Sequence, residues 1–227
     1  MSIAAETAGS GAQRDRARFS GLYADVESYY SARVAEFGAT PRGVDWSCQA
    51  TQELRFVQLL KLCDFSAPFS LNDIGCGYGA LCAYLARRHP QAVIDYLGTD
   101  LSLAMIRRAR RRFSAPGRRF KLARGSPRVA TYSVASGIMN VNVGSSRPSW
   151  EAFVAEMLTD LRRASERGFA VNFVTGTAEA DAAGVQLYRT SPGPWIRYCE
   201  RELGCTVSTV EGYGMDEVTL LARCNAA

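Results

Sequence analysis

The chain has 227 residues, of which 47% are hydrophobic and 22% charged, with a formal charge of +5. This is an ordinary composition for one globular domain over 1–227, and no apolar run approaches the roughly 18 residues that would span a membrane. The seven cysteines never fall in C-x-x-C spacing, so no zinc site, other metal centre or disulfide framework is expected.

Residues 1–12 are small and polar and lack the apolar stretch of a signal peptide, so they are expected to be disordered and the protein cytoplasmic with free thiols. Residues 13–38 place Phe19, Leu22, Tyr23, Val26, Tyr30, Val34 and Phe37 at helical spacing. Gly38 and Pro41 break that helix, and a second is expected over 49–63. Together 13–66 form an N-terminal helical unit ahead of a core at 67–227.

The core alternates. Strands are expected at 70–74, 92–98, 119–123, 131–136 and 169–174, and helices at 79–89, 102–113, 149–165 and 194–203. Two closing strands, at 205–210 and 216–223, are separated only by a Gly-containing turn. Repeated strand–helix units imply a doubly wound α/β fold with a mainly parallel, seven-stranded sheet. The last two strands imply a C-terminal antiparallel hairpin.

The chemistry is concentrated where the first core strand ends, at Asp73-Ile74-Gly75-Cys76-Gly77-Tyr78-Gly79. Glycines in that turn let the backbone approach a ligand closely. Asp100, twenty-one residues past Gly79, ends the next strand, where an acid can hold a ribose diol. The dinucleotide fingerprint is G-x-G-x-x-G, but here the third glycine comes one residue early and Asp73 precedes the first by two. An acid at that place repels a pyrophosphate and suits a cationic ligand.

These motifs resemble those of the class I S-adenosylmethionine-dependent methyltransferases, and the likeness covers about residues 67–227. Asp73 to Gly79 is similar to that family's first motif, and Gly98-Thr99-Asp100-Leu101-Ser102 to its second. The resemblance implies a Rossmann-like fold and S-adenosylmethionine as cofactor. It implies that Asp73 holds the cofactor's amino group and that Gly75, Cys76, Gly77 and Gly79 pass beneath it. It also implies that Asp100 binds the ribose hydroxyls and that Leu101 and Met105 flank the adenine. The family's acid for the adenine amino group is missing; Arg124-Gly125-Ser126-Pro127 stands there, with Ser126 or a backbone carbonyl as the substitute acceptor.

The fourth strand runs into Val134-Ala135-Ser136-Gly137-Ile138-Met139-Asn140. Ligands sit at the C-terminal ends of strands in this class of fold, so Ser136 and Gly137 are expected on the methionine side. Asn140, whose amide oxygen accepts hydrogen bonds, is expected to face the reacting centre. From about Tyr29 onward the chain resembles a group of small bacterial class I methyltransferases, with 38–55 as a lid segment. Arg55 is the candidate partner for the cofactor carboxylate. Tyr29, Tyr30 and Trp46 are candidates to face the sulfonium through cation–π attraction.

His89, the single histidine, ends a helix away from this end of the sheet, so no histidine base is expected in the site. Methyl transfer to a small molecule, an amine or an easily ionised acceptor, is therefore favoured, with Asp181 and Tyr188 as candidate acceptor contacts. The alternative is cyclisation of the cofactor to azetidine-2-carboxylate with release of methylthioadenosine. A third reading makes the protein a nucleic-acid-binding module. It rests on Arg107, Arg108, Arg110, Arg111, Arg112, Arg118 and Arg119. No stacking aromatics alternate with those arginines, so a solvated helix face is expected instead.

Overall fold

The computed structural model describes residues 19–113, 115–176 and 187–224. The helix expected from residue 13 is therefore seen only from Ser20, and Asp181 and the expected disorder of 1–12 lie outside the described residues.

Seven strands form one sheet in the order β3-β2-β1-β4-β5-β7-β6. The strands are β1 (Phe69–Ile74), β2 (Ile94–Asp100), β3 (Arg118–Leu122), β4 (Ala130–Ala135), β5 (Ser165–Val174), β6 (Cys205–Val210) and β7 (Glu217–Cys224). The first five are parallel, while β7 runs antiparallel to both β5 and β6. The helices are α1 (Ser20–Phe37), α2 (Gln49–Leu60), α3 (Ala80–Arg88), α4 (Leu103–Arg112), α5 (Arg147–Arg163) and α6 (Pro192–Arg201). A 3₁₀ turn at Pro41–Val44 joins α1 to the loop before α2.

Helices cover both faces, so the central strands are buried on both sides, and their polar Asn72 and Ser133 hydrogen-bond to one another. One core packs α1, α5 and α6 on the sheet through Tyr23, Trp150, Phe153, Phe169, Phe173 and Trp195. The other packs α2, α3 and α4 through Phe56, Leu59, Leu81, Leu85, Ile106 and Tyr96. No described helix is long and apolar enough to cross a membrane.

Several element boundaries differ from expectation by a few residues, and two of the shifts have a clear cause. β5 begins at Ser165, four residues early, because the polar Glu166 and Arg167 hide a segment whose Ser165 already pairs with Ala130. α6 begins at Pro192, with Pro194 also in its first turn, where a missing backbone N–H costs nothing.

The order of strands reverses between β1 and β4, both of which point their C-terminal ends to the same edge. A crevice at such a switch point is where this class of sheet holds its ligand. α1, the 3₁₀ turn and α2 lie over it. Arg108 Nη2 donates to the Val34 carbonyl at 3.3 Å and Arg112 Nη1 to that of Ala39 at 3.4 Å. Arg33 Nε pairs with Asp45 at 2.6 Å, fixing the loop back onto α1. Arg110 donates to the Phe120 carbonyl. Three arginines of the basic run thus tie the lid and β3 to α4.

Candidate active site

A cavity of about 970 Å³, counted to its open mouth, occupies the switch point. It is within the size range of small-ligand sites. Its floor is the turn after β1. Gly75, Gly77 and Gly79 have φ of +74°, +54° and +85°, a left-handed region that glycine enters without strain. Each does something different. A Cβ on Gly75 would lie 2.2 Å from Ile138 Cγ2, and one on Gly79 would lie 2.8 Å from Phe113. Gly75, Cys76 and Gly77 line the cavity; Gly79 instead opens α3 and lets it pack on Phe113.

Asp73 is buried beside this turn, with Oδ2 accepting from the Tyr96 hydroxyl at 2.5 Å. Burial, opposed by that hydrogen bond and reinforced by Asp100, pushes its carboxyl up to about 7. Asp100 ends β2 and takes two backbone amides, Gly77 N on Oδ2 and Ser102 N on Oδ1, both at 2.8 Å. Burial raises it to about 6, although those amides pull the other way. Two acids lining one cavity suit a ligand bringing a cation and hydroxyl donors. Leu101 and Met105 line the same cavity.

Ser136 and Gly137 line the cavity at the end of β4. The Ser136 hydroxyl is buried and has no hydrogen-bond partner among the described residues. Gly137 has φ +77°, and its N–H donates to Asn172 Oδ1 at 2.8 Å. The roof comes from the lid, with Tyr23, Glu27, Tyr30, Val44, Trp46 and Gln52. Tyr30 is held neutral well above the ordinary tyrosine range, first by burial and then by the Asp45 charge. Tyr29 stacks edge-on against Tyr30 at 5.1 Å but does not line the cavity.

Besides Gly79 and Tyr29, four expected site residues sit elsewhere. Arg55 is buried under the lid with Nε donating to both Glu217 oxygens at 2.9 and 2.8 Å, and Nη1 to the Thr51 carbonyl at 3.0 Å. A carboxylate 162 residues away in sequence has taken the guanidinium that was expected to meet the cofactor. Asn140 does not line the cavity. The turn begun by Gly137 carries it round, so that its N–H donates to the Gly137 carbonyl at 3.3 Å and its Oδ1 accepts from Val174 N at 3.3 Å. Ser126 donates to the Arg128 carbonyl at 2.9 Å and lines a smaller adjoining cavity. Tyr188 is a core residue that donates to Glu151 and accepts from Trp195 Nε1. His89 stacks on Phe65 at 4.1 Å, far from the glycine turn in the fold, at the C-terminal cap of α3.

The sequence reading missed Glu27, Gln52, Phe56, Tyr96, Phe153 and Met157. One signal was available: Tyr23, Val26, Glu27 and Tyr30 share a helix face, and an acid on an apolar face wants a reason. Tyr96 looked like an ordinary strand residue because nothing local marks its hydroxyl for Asp73.

The residues present fit S-adenosylmethionine. The acids are disposed for an ammonium and a ribose diol, the positive-φ turn at Gly75 and Gly77 lines the cavity with backbone, and the buried Ser136 hydroxyl has no partner among the described residues. Comparison with known proteins agrees. Residues 72–164 match the family model described as a methyltransferase domain. The Rv1506c protein of Mycobacterium tuberculosis, named as a methyltransferase, is 38% identical over 165 residues, covering 72% of this chain and 98% of that one. Among solved structures, DhpI in complex with SAM and HEP superposes with a TM-score of 0.62 at 18% identity, over 89% of this chain and 98% of its own. Magnesium protoporphyrin IX methyltransferase from Synechocystis PCC 6803, with bound SAH, gives a TM-score of 0.58 at 14% identity, over 78% and 83%. The chain belongs to the class I S-adenosylmethionine-dependent methyltransferases.

Proposed function

We propose that the protein methylates a small molecule, an amine or an easily ionised acceptor, that binds beneath the N-terminal lid. The observation that carries this is the roof. Trp46 lies against Gly137 at the strand end expected to receive the methionine part of the cofactor, and a Cβ there would stand 2.2 Å from Cζ2 of the indole. An acceptor reaching that end passes between lid and sheet, which favours a small one over a macromolecule.

Bound there, S-adenosylmethionine supplies an electrophilic sulfonium methyl. In this reading Asp73 takes the cofactor's ammonium, with the Tyr96 hydroxyl holding the carboxylate in place. Asp100 accepts from the ribose. Trp46 and the neutral Tyr30 bound the space for the acceptor, and Tyr30 offers a hydroxyl for orienting it. No histidine lines the cavity, so the acceptor arrives with its nucleophilic lone pair available. The rate then depends on alignment of nucleophile and methyl carbon, which by itself can lower a barrier by roughly 7–11 kcal/mol. DhpI, which shares the fold, is solved in complex with both SAM and HEP, which supports a second ligand bound together with the cofactor.

The test supplies methyl-labelled S-adenosylmethionine with two fractions of a cell extract, a low-molecular-mass filtrate and the desalted macromolecules. Label entering a compound of the filtrate supports the proposal. Label entering only protein or nucleic acid overturns it.

A further inference from the structure

We propose that Glu27, carried by the lid helix α1, is a second cofactor-binding carboxylate that stands beside Asp100 in the cavity and accepts from the ribose hydroxyls.

Glu27 lines the cavity on the same helix face as Tyr23, Val26 and Tyr30. Ser31, one turn later, donates its hydroxyl to Glu27 Oε1 at 2.7 Å. The Ser31 hydroxyl is also 2.8 Å from that of Ser102, whose own N–H donates to Asp100 Oδ1. The two carboxylates are therefore fastened to one another through two serines, one on the lid and one at the N-terminal cap of α4. The charge of Glu27 is felt at Asp100, where it raises the carboxyl's affinity for a proton.

No cation separates the pair: among the described residues Glu27 makes no ion pair, and its only hydrogen bond is the one from Ser31 to Oε1. Two like charges held at one cavity wall repel, and hydrogen-bond donors placed between them relieve the repulsion. A ribose diol brings two such donors. Each Asp100 oxygen already takes one backbone amide and keeps about one further acceptor site, and Glu27, whose Oε2 accepts nothing among the described residues, adds acceptor sites beside it. Because Glu27 belongs to the lid, ribose recognition and lid seating become one event.

The experiment measures S-adenosylhomocysteine binding by calorimetry, which needs no acceptor and so stands apart from the small-molecule proposal above. Wild type, Glu27→Gln and Glu27→Met are each titrated with S-adenosylhomocysteine and with its 2′-deoxy and 3′-deoxy analogues. The expected result is a loss of about tenfold in affinity for the parent ligand in Glu27→Met, the worth of a hydrogen bond to a charged group, and a smaller loss in Glu27→Gln. The penalty for deleting one of the ribose hydroxyls shrinks in the variants by a matching factor. Parent-ligand affinity within twofold of wild type in both variants overturns the proposal. So does an affinity loss that is identical for parent and deoxy ligands, since that marks a lid disturbed without any contact to the diol.

Discussion

Trp46 and Gly137 occupy one another's space: the indole fills the position that a side chain at residue 137 would take. The contact closes a circuit. Arg55 lies 3.7 Å from the centre of the Trp46 ring and pairs with Glu217. Glu217 Oε2 accepts from Asn172 Nδ2 at 3.1 Å, and Asn172 Oδ1 accepts from the Gly137 N–H. Lid, β5, β7 and the end of β4 thus meet in one ring of contacts beside the cavity.

Gly137→Ala breaks this ring at its tightest point, combining a clash with the indole and a left-handed φ of +77°. We expect a loss of roughly 1–3 kcal/mol in unfolding stability together with weaker S-adenosylhomocysteine binding. Adding Trp46→Ala should cost less on the Gly137→Ala background than on wild type, because there it also removes the clash, although the indole's contact with Arg55 is lost in both. Denaturant unfolding of the single and double variants checks both statements.

Glu217→Ala leaves the buried Arg55 guanidinium without its carboxylate. The expected cost is about 3–5 kcal/mol. Replacing both partners, as Arg55→Met with Glu217→Leu, should cost less than Glu217→Ala alone, since no uncompensated charge is left inside. Urea midpoints of the three proteins decide this.

Asp100→Ala removes the acceptor at the end of β2. Affinity for S-adenosylhomocysteine should fall by at least about 100-fold, since two hydrogen bonds to a charged group are lost. Retained binding in calorimetry would refute the ribose role of this residue.

The cavity acids also set a pH dependence. Asp73 is raised to about 7 and Asp100 to about 6, so the ligand-free folded protein holds protons that the unfolded chain releases. Their contribution to stability is full below the ordinary carboxylate range and is lost as pH rises through 6 and then 7. Binding runs the other way. An ammonium needs ionised Asp73, so S-adenosylhomocysteine affinity should climb up to a pH of about 7 and then level off. Asp73→Asn should bind weakly at every pH and show a flatter profile, read by titrations across that range.

Much of this was legible in the sequence because it is local. Asp73, the glycine turn and Asp100 lie at strand ends that alternation of apolar runs locates, and the positions of Leu101, Met105, Ser136 and Gly137 follow from the same strands. What was not legible depends on distant partners. Arg55 looked available for a ligand because Glu217 is 162 residues away. Asn140 looked aimed at the reaction because its strand was known, while the turn at Gly137 that redirects it depends on Asn172 and Trp46. Glu27 is intermediate: its helix face was readable, but only the packing of α1 against α4 and its Ser102 cap brings it to Asp100.

The proposed function has the cavity direct a nucleophile to the sulfonium methyl of S-adenosylmethionine. Its most direct test is mass spectrometry of the products formed from cofactor alone and from cofactor with the low-molecular-mass filtrate. Methyl transfer to a small acceptor yields S-adenosylhomocysteine only when the filtrate is present. Methylthioadenosine and azetidine-2-carboxylate accumulating from cofactor alone would contradict it, because the aminocarboxypropyl carbon rather than the methyl would then be the one attacked.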